Sequence, residues 1–508
     1  MKPEVNPTIR LNPFDNVVVA RHDISAGTKI SAENIVVRDQ VPSGYKIATR
    51  AIQKGEAILK YNTIIGYAAV DIEPGTMMHS HNISIDNVDK DYAFSRDYVP
   101  TEYVSVSQRP TFMGYVRPDG KVGTRNYIGV FTASNCAATV VRKIANHFTP
   151  ERLKGYPNID GVVPFIIDGG CGLPYGGPLE LLRRSIGGYI NNPNIAGAVV
   201  CALGCERNNI DEMFESLHLH ESDRLKRLVL QELGGTRKTV ERGIAEINQM
   251  LPLADQAVRT PVSVEHLTVA LQCGGSDGFS GLSANPALGA AMDRLIKNGG
   301  TAVLSETTEI FGVEHTLTRR AVTPEVGQKL VDRMNWWLTY SAGSDVQING
   351  KVSPGNNKGG ITNILEKSLG GVKKGGETGL MDVIEYAMPI TQKGLVFMDS
   401  PGFDPVAATG QVAGGANLIA FTTGRGSCYG GVPVPCTKLA TNTSMYQIME
   451  EDMDINCGQI IDGEKTVQEM GDLIFDQLIR VASGEKTKSE LLGVGEDEFQ
   501  PWNIGIIS

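Results

Sequence analysis

The sequence predicts an α/β protein in which a small all-β module is joined by a linker to a larger region built on a mostly parallel sheet. Two observations carry this. Up to about residue 95 the chain runs as short apolar stretches, NVVVA, ENIVVRDQ and KGEAILKYNTIIGYAA among them, separated by Gly, Pro, Asn and Asp. From Thr111 onward apolar runs alternate with helical patterns, the signature of βαβ units.

Residues 1–95 show no convincing helix and are expected to be strands and turns. The stretch DYAFSRDYVPTEYVSVSQRP lacks clear periodicity, and residues 96–112 are expected to be linker. Beyond them YIGVFTA leads into AATVVRKIANHF, GVVPFIID into PLELLRRSIGGYI, AGAVVCALG into ERNNIDEMFESL, and LTVALQ into NPALGAAMDRLIKNG, with TAVLSE following directly. The Gly- and Lys-rich stretch SPGNNKGGITNILEKSLGGVKKGGE interrupts this series, which resumes with GLMDVIEYA, GLVFMDS and ANLIAFTT. A subdomain break is therefore expected near residues 350–378, dividing a first α/β region, 113–375, from a second, 376–508.

At 508 residues the chain exceeds one compact core. A formal charge of -10 gives no footprint for nucleic acid, which needs clustered Lys and Arg on one face. An anionic small substrate stays compatible, because local Arg and Lys in a pocket decide that. No apolar stretch is long enough to cross a bilayer and no charged-then-apolar leader opens the chain, so no membrane partner and a cytoplasmic location are expected. Eight cysteines are too sparse for a disulfide scaffold, and reduced thiols follow.

Three of those thiols stand out. Cys136, Cys171 and Cys205 each sit where an apolar run breaks into glycine and polar residues, in YIGVFTASNC, VVPFIIDGGC and AVVCALGC. If the strands are neighbours in one parallel sheet, their C-terminal tips converge on the crevice where open α/β folds bind ligands. The thiols lie roughly 35 residues apart, so no C-x-x-C pair of a structural zinc site exists, and an active-site metal suits them better. The bland alternative, a thiol buried as a small hydrophobe, fits Cys201 inside AVVCALG better than these three. Whether Cys273 in LQCGGSDGFSG is also a ligand stays open.

In MMHSHN, His79 and His81 are two apart, so on a strand both imidazoles face one side, suited to a metal or to general-base work. The glycine-rich tips LQCGGSDGFSG, SPGNNKGG and FTTGRGSCYGG let backbone N–H groups approach an anion, with Arg425 and Lys358 as carboxylate partners and Ser276 beside them. GRGSCYGG is a poor dinucleotide fingerprint, since its third glycine is out of step. Acid–base candidates at the tips are Asp277 and Glu206, with Glu306 and Glu309 in LSETTEI carrying no distinguishing signal.

With these residues in hand, the chain resembles the altronate and galactarate dehydratase family, through RPDGKVGTRN, LGCERNN, QCGGSDGFSGLSANP, SPGNNKGGITNILEKSLG and TTGRGSCYGG. The resemblance implies a β-clip (SAF-type) N-terminal domain, a Rossmann-like catalytic sheet, dimer-forming elements, and iron, either Fe2+ or an iron–sulfur cluster, with Mn2+ as the alternative ion. It implies loss of water from a sugar acid to give a 2-keto-3-deoxy acid. The segment His79–Asn82 is similar to the His-x-His-Asn of the altronate branch, which points to an aldonate and brings Asn82 into the substrate set. The family also resembles lyases that expel sulfite from sulfolactate. Gly169-Gly170-Cys171 and Ser427-Cys428-Tyr429 depart from its usual Tyr-Gly-Cys and Thr-Pro-Tyr.

Overall fold

The computed structural model describes residues 6–85, 91–342 and 352–504. The N-terminal module is all-β apart from a single turn of 3-10 helix, Ser31–Glu33. Strands Thr8–Ile9, Val17–Ala20, Lys46–Ala48 and Met77–Met78 form one antiparallel sheet, and Ala57–Lys60, Thr63–Ala68 and Ile83–Ser84 form another. Val17–Ala20 is buried along its whole length, with Val18, Ile30 and Ile47 in the module's own core. Residues 91–110 run over the body without regular structure except Val106–Gln108, pinned where the Val104 N–H donates to the Lys297 carbonyl.

Two parallel sheets follow. The first has Tyr127–Thr132 between Gly161–Phe165 and Ile195–Ala202, with Leu225–Val229 at its edge. The second has seven strands in the order Leu380–Ile384, Gly394–Met398, Thr301–Leu304, Thr268–Cys273, Leu418–Thr423, Cys436–Ala440, Ile455–Asn456. Helices cover these strands, which is why they read as unbroken apolar runs. Phe131, Phe165, Tyr189, Phe421 and Phe499 fill the core between the sheets. Helices Gly177–Ile190 and Asp404–Ala413 meet there, with Gly188 so close that a Cβ would lie 2.3 Å from the Ala413 carbonyl oxygen.

The expected break near residues 350–378 is not a break in the fold. Strands before and after residue 375 are neighbours in the seven-stranded sheet, and the change of sheet falls between Val229 and Thr268 instead. Gly and Lys made the stretch read as a subdomain break, but its described part folds into helices Pro354–Lys358 and Ile364–Val372, capped by the Ser353 and Asn363 side chains. No helix among the described residues is long and apolar enough to cross a membrane.

Candidate active site and metal centre

Cys136, Cys171 and Cys205 emerge just beyond three neighbouring strands of the four-stranded sheet, all at its C-terminal edge and all exposed. Their loops are laced together. The Asn135 N–H donates to the Gly169 carbonyl at 2.9 Å and the Asn208 N–H to the Gly170 carbonyl at 3.0 Å. Asn208 Nδ2 reaches the Ala133 carbonyl at 2.8 Å. Gly170, at φ +100°, permits the closest approach: a Cβ would lie 2.7 Å from the Ala133 oxygen. Neighbouring strands are about 4.8 Å apart, so the outer two tips stand about 10 Å apart at their bases. Among the described residues, the three sulfurs do not all lie within 4.8 Å of one another.

A tighter group stands at the C-terminal edge of the seven-stranded sheet. Cys273 ends its strand, and Glu306 and Glu309 lie just past Thr301–Leu304; their ligand atoms all fall within 4.8 Å of one another. Lys374 Nζ donates to Cys273 Sγ at 2.9 Å and lies 3.8 Å from Glu306 Oε2, while Lys367 pairs with Glu309. Asp404, at the start of the next helix, packs on Gly274. Glu306 adopts left-handed backbone angles, φ 70° and ψ 69°, a strained conformation for a non-glycine residue. Burial and then the Glu309 charge push its carboxyl well above the usual range, and the same two causes bring Asp404 to about 6. Burial raises the Cys273 thiol to about 11 against the pull of Lys374.

This group fits a divalent ion. Glu306 Oε1 is buried without a hydrogen-bond partner among the described residues, a costly arrangement that a cation would relieve. When a bound ion displaces the Cys273 proton and those of the buried acids, the thiolate and the carboxylates of Glu306, Glu309 and Asp404 are met, among the described residues, by the Lys367 and Lys374 ammoniums. One dication makes the cluster neutral. A soft thiolate with two hard carboxylates suits a first-row transition ion such as ferrous iron.

Two spaces flank the group. On one side a cavity of ≈ 560 Å³ is lined by Asp168 and Gly169 of the Cys171 loop, Arg142, Pro401, Phe403 and Trp502. Gly402, between two of those residues, packs so that a Cβ would lie 2.9 Å from Glu309 Cγ. On the other side Cys273 and Lys367 share a pocket of only ≈ 20 Å³ with Ser276, Asp277, Lys60 and Glu366. The N-terminal module thereby closes this side of the site.

The histidine pair does not act as a pair. The strand ends at Met78, and a turn closed by Asn82 Oδ1, which accepts the His79 N–H at 2.9 Å, buries His79 and leaves His81 exposed. Burial and then the nearby Lys46 charge lower the His79 pKa, so it is neutral at pH 7, with Nδ1 3.4 Å from Thr362 Oγ1. Asn82 is spent on this turn, its amide also donating to the Met77 carbonyl. Asp277 is saturated as well, accepting from Thr441, Asn442, Ser280 and the Phe279 N–H. Glu206 accepts from the Leu203 and Gly204 N–H groups and from Ser134, so it fastens the Cys205 loop to the Cys136 loop. Lys358 and Arg425 are exposed, and the Lys358 carbonyl accepts from Tyr45 at 3.1 Å.

Three family profiles divide the chain: the altronate/galactarate dehydratase SAF domain over residues 6–86, the second domain of D-galactarate dehydratase/altronate hydrolase over 114–255, and the D-galactarate/altronate dehydratase C-terminal region over 264–507. The chain is 33% identical to altronate dehydratase of Escherichia coli, over 95% of this chain and 96% of that protein. The chain belongs to the altronate/galactarate dehydratase family. Another relative is the galactarate dehydratase (L-threo-forming) of Escherichia coli, 34% identical over 94% of this chain and 93% of that protein. The (2R)-sulfolactate sulfo-lyase subunit beta of Chromohalobacter salexigens is 30% identical over 75% of this chain and 95% of that protein. The family's second region matches the four-stranded sheet and its C-terminal region the seven-stranded sheet, with the join where the fold changes sheets.

The sequence offers Glu306 and Glu309 as acid–base candidates without setting them apart, and gives no sign of Lys367, Lys374 or Asp404. The signal that could have found the first two and Asp404 is the one used for the cysteines: each follows the C-terminal end of a parallel strand, Thr301–Leu304 or Gly394–Met398. The two lysines come from the Gly- and Lys-rich stretch read as a subdomain break.

Proposed function

We propose that this chain dehydrates an aldonate of the altronate type to a 2-keto-3-deoxy acid at the crevice between its two parallel sheets, with ferrous iron held by Cys273, Glu306 and Glu309. The chain is a hydro-lyase acting on a sugar acid. The observation that carries the site is the buried, partnerless Glu306 oxygen in a cluster short of positive charge. A cavity of ≈ 560 Å³, large enough for a hexonate, lies beyond the turn at residues 401–403, whose Gly402 packs on Glu309.

The α-proton of a carboxylate is weakly acidic, so its removal demands electrostatic stabilisation of the developing enediolate. A bound ion supplies Lewis-acid stabilisation of that charge. Lys374 and Lys367 add fixed cations that need no reorganisation during the reaction. Arg142 offers the substrate carboxylate a guanidinium at the cavity wall. His79, held neutral by burial, stands on the module side of the group and outside the cavity lining, so it serves as the α-proton base only for a substrate that reaches past the cluster to that side; the exposed His81 has no such environment. Loss of hydroxide from the neighbouring carbon then completes the elimination. Galactarate or sulfolactate would be processed through the same proton abstraction with a different leaving group or second carboxylate.

A second reading places an iron–sulfur cluster on Cys136, Cys171 and Cys205, favoured by the lacing of their three loops at one edge of one sheet. The proposal extends to a β-clip N-terminal domain, a Rossmann-like catalytic sheet, a homodimer and a cytoplasmic setting, with Mn2+ as the alternative ion. Metal-stripped enzyme should regain keto-acid formation from altronate on adding ferrous iron, tested beside galactarate and sulfolactate. Full activity in chelator would sink the metal assignment, and turnover of galactarate alone would sink the substrate.

A further inference from the structure

The strained turn that carries Glu306 and Glu309 is held by the end of the adjacent strand. The Glu306 N–H donates to Ser400 Oγ at 2.9 Å, and the Thr307 N–H donates to the Ser400 carbonyl at 3.0 Å. Thr307 Oγ1 donates to Asp399 Oδ1 at 2.5 Å. Asp399 and Ser400 are themselves buried, and the same Asp399 oxygen accepts the indole N–H of Trp337 at 2.8 Å. Trp337 stacks on Trp502 at 5.2 Å and 9°. Trp502 lines the cavity beside the cluster and is fixed by its own N–H to Tyr386 Oη at 3.2 Å. An unbroken series of contacts thus runs from the cavity wall to the carboxylate turn.

We infer that Asp399 and Ser400 are positioning residues for the metal centre, holding Glu306 and Glu309 in ligating geometry, and that the Trp337–Trp502 stack ties this hold to the cavity wall. The inference rests on the reading that Cys273, Glu306 and Glu309 bind a divalent ion. A left-handed glutamate persists only where its surroundings over-determine it, and hydrogen bonds from both neighbouring peptide N–H groups do that here. Partners of this kind around a site govern metal affinity nearly as strongly as the ligands.

The test titrates the metal-stripped full chain with Co2+ and follows the thiolate-to-cobalt charge-transfer absorption, a readout independent of turnover. Cys273→Ser should abolish that absorption and Glu306→Gln should weaken binding severely. Ser400→Ala and Asp399→Asn should weaken Co2+ binding about 10- to 100-fold. Ser400→Thr, which restores a hydroxyl, should recover most of the affinity, a rescue that a merely structural role does not predict. Trp502→Ala should weaken cobalt binding and raise the substrate KM together. Should Ser400→Ala fail to fold, Ser400→Thr and Trp337→Phe, which keeps an aromatic ring but removes the N–H, carry the test. If Cys273→Ser and Glu306→Gln keep the cobalt spectrum, the ion assignment itself falls. If those two lose it while Ser400→Ala, Asp399→Asn and Trp337→Phe bind as the parent does, the positioning role alone is overturned.

Discussion

Lys46 of the N-terminal module and Glu366 of the catalytic body form a buried ion pair, with Nζ 2.8 Å from Oε2. Lys60 completes a triad from the module side at 2.7 Å, and the Thr362 N–H adds a bond to the same carboxylate. The next residue, Lys367, pairs with Glu309 of the metal cluster. Docking of the small domain and placement of a ligand therefore depend on adjacent positions of one helix, Ile364–Val372.

Glu366→Gln leaves two buried ammoniums facing a neutral amide. Removing one partner from a buried ion pair costs about 3–5 kcal/mol, because the remaining charge is uncompensated. Denaturant unfolding of the variant should register a loss in that range, with faster proteolysis between the module and the body. A loss below about 1 kcal/mol, the value of an exposed pair, would show that the triad is not buried in solution.

The same triad sets an acid limit on stability. Burial would raise the Glu366 pKa, but the Lys46 and Lys60 charges and their hydrogen bonds overcome it and hold the carboxyl well below the usual range. The unfolded chain then binds a proton near the ordinary value of 4.5 while the folded chain does not. This contribution is fully present above that pH and is lost as pH falls toward the folded-state value. Urea midpoints of the parent should drop steeply below about pH 4.5, and Glu366→Gln should show a shallower acid limb. Parallel limbs in the two proteins would exclude Glu366 as the source.

Strand tips were legible in the sequence because a buried parallel strand announces itself as an apolar run, and its end as glycine and polar residues. That is how Cys136, Cys171 and Cys205 could be expected on one edge of one sheet, where they stand. The acidic cluster was legible only in position, as residues that follow strand ends. Their chemistry does not separate Glu306 and Glu309 from solvated carboxylates, since the strain at Glu306 and the approach of Lys374 exist only after long-range packing. The histidine pair failed for a local reason: alternation puts residues two apart on one face only while the strand lasts, and it stops at Met78.

Gly170 offers a test of the thiol loops. At φ +100°, with its prospective Cβ 2.7 Å from the Ala133 oxygen, Gly170→Ala must push the Cys171 loop off the Cys136 loop. Strain of this kind costs about 1–3 kcal/mol. At Gly177, at the start of the helix after the loop, an added Cβ would meet nothing within 4 Å, so Gly177→Ala is the control. Gly170→Ala should lose most activity while Gly177→Ala keeps it; equal activity in the two would mean the loops need no fixed spacing.

The two histidines separate by environment. His79→Gln should cut kcat about 100-fold or more, the usual contribution of a general base, with KM nearly unchanged. His81→Gln should stay within a few fold of the parent, since its ring is exposed. The reverse order would move the base to the solvent side of the turn.

The exposed thiols and the buried acid–thiol cluster make opposite demands on a metal analysis. If Cys136, Cys171 and Cys205 hold an iron–sulfur cluster, anaerobically reconstituted enzyme should contain acid-labile sulfide, and Cys171→Ser should lose it. Cys273→Ser should leave the sulfide in place, because Cys273 stands on the other sheet, while removing the ferrous-dependent part of the activity. Sulfide that disappears with Cys273→Ser would join both groups in one centre, which the separate sheets and the intervening cavity argue against. No sulfide in any preparation, with activity restored by ferrous iron alone, would leave the three exposed cysteines as loop residues and make Cys273, Glu306 and Glu309 the whole of the metal site.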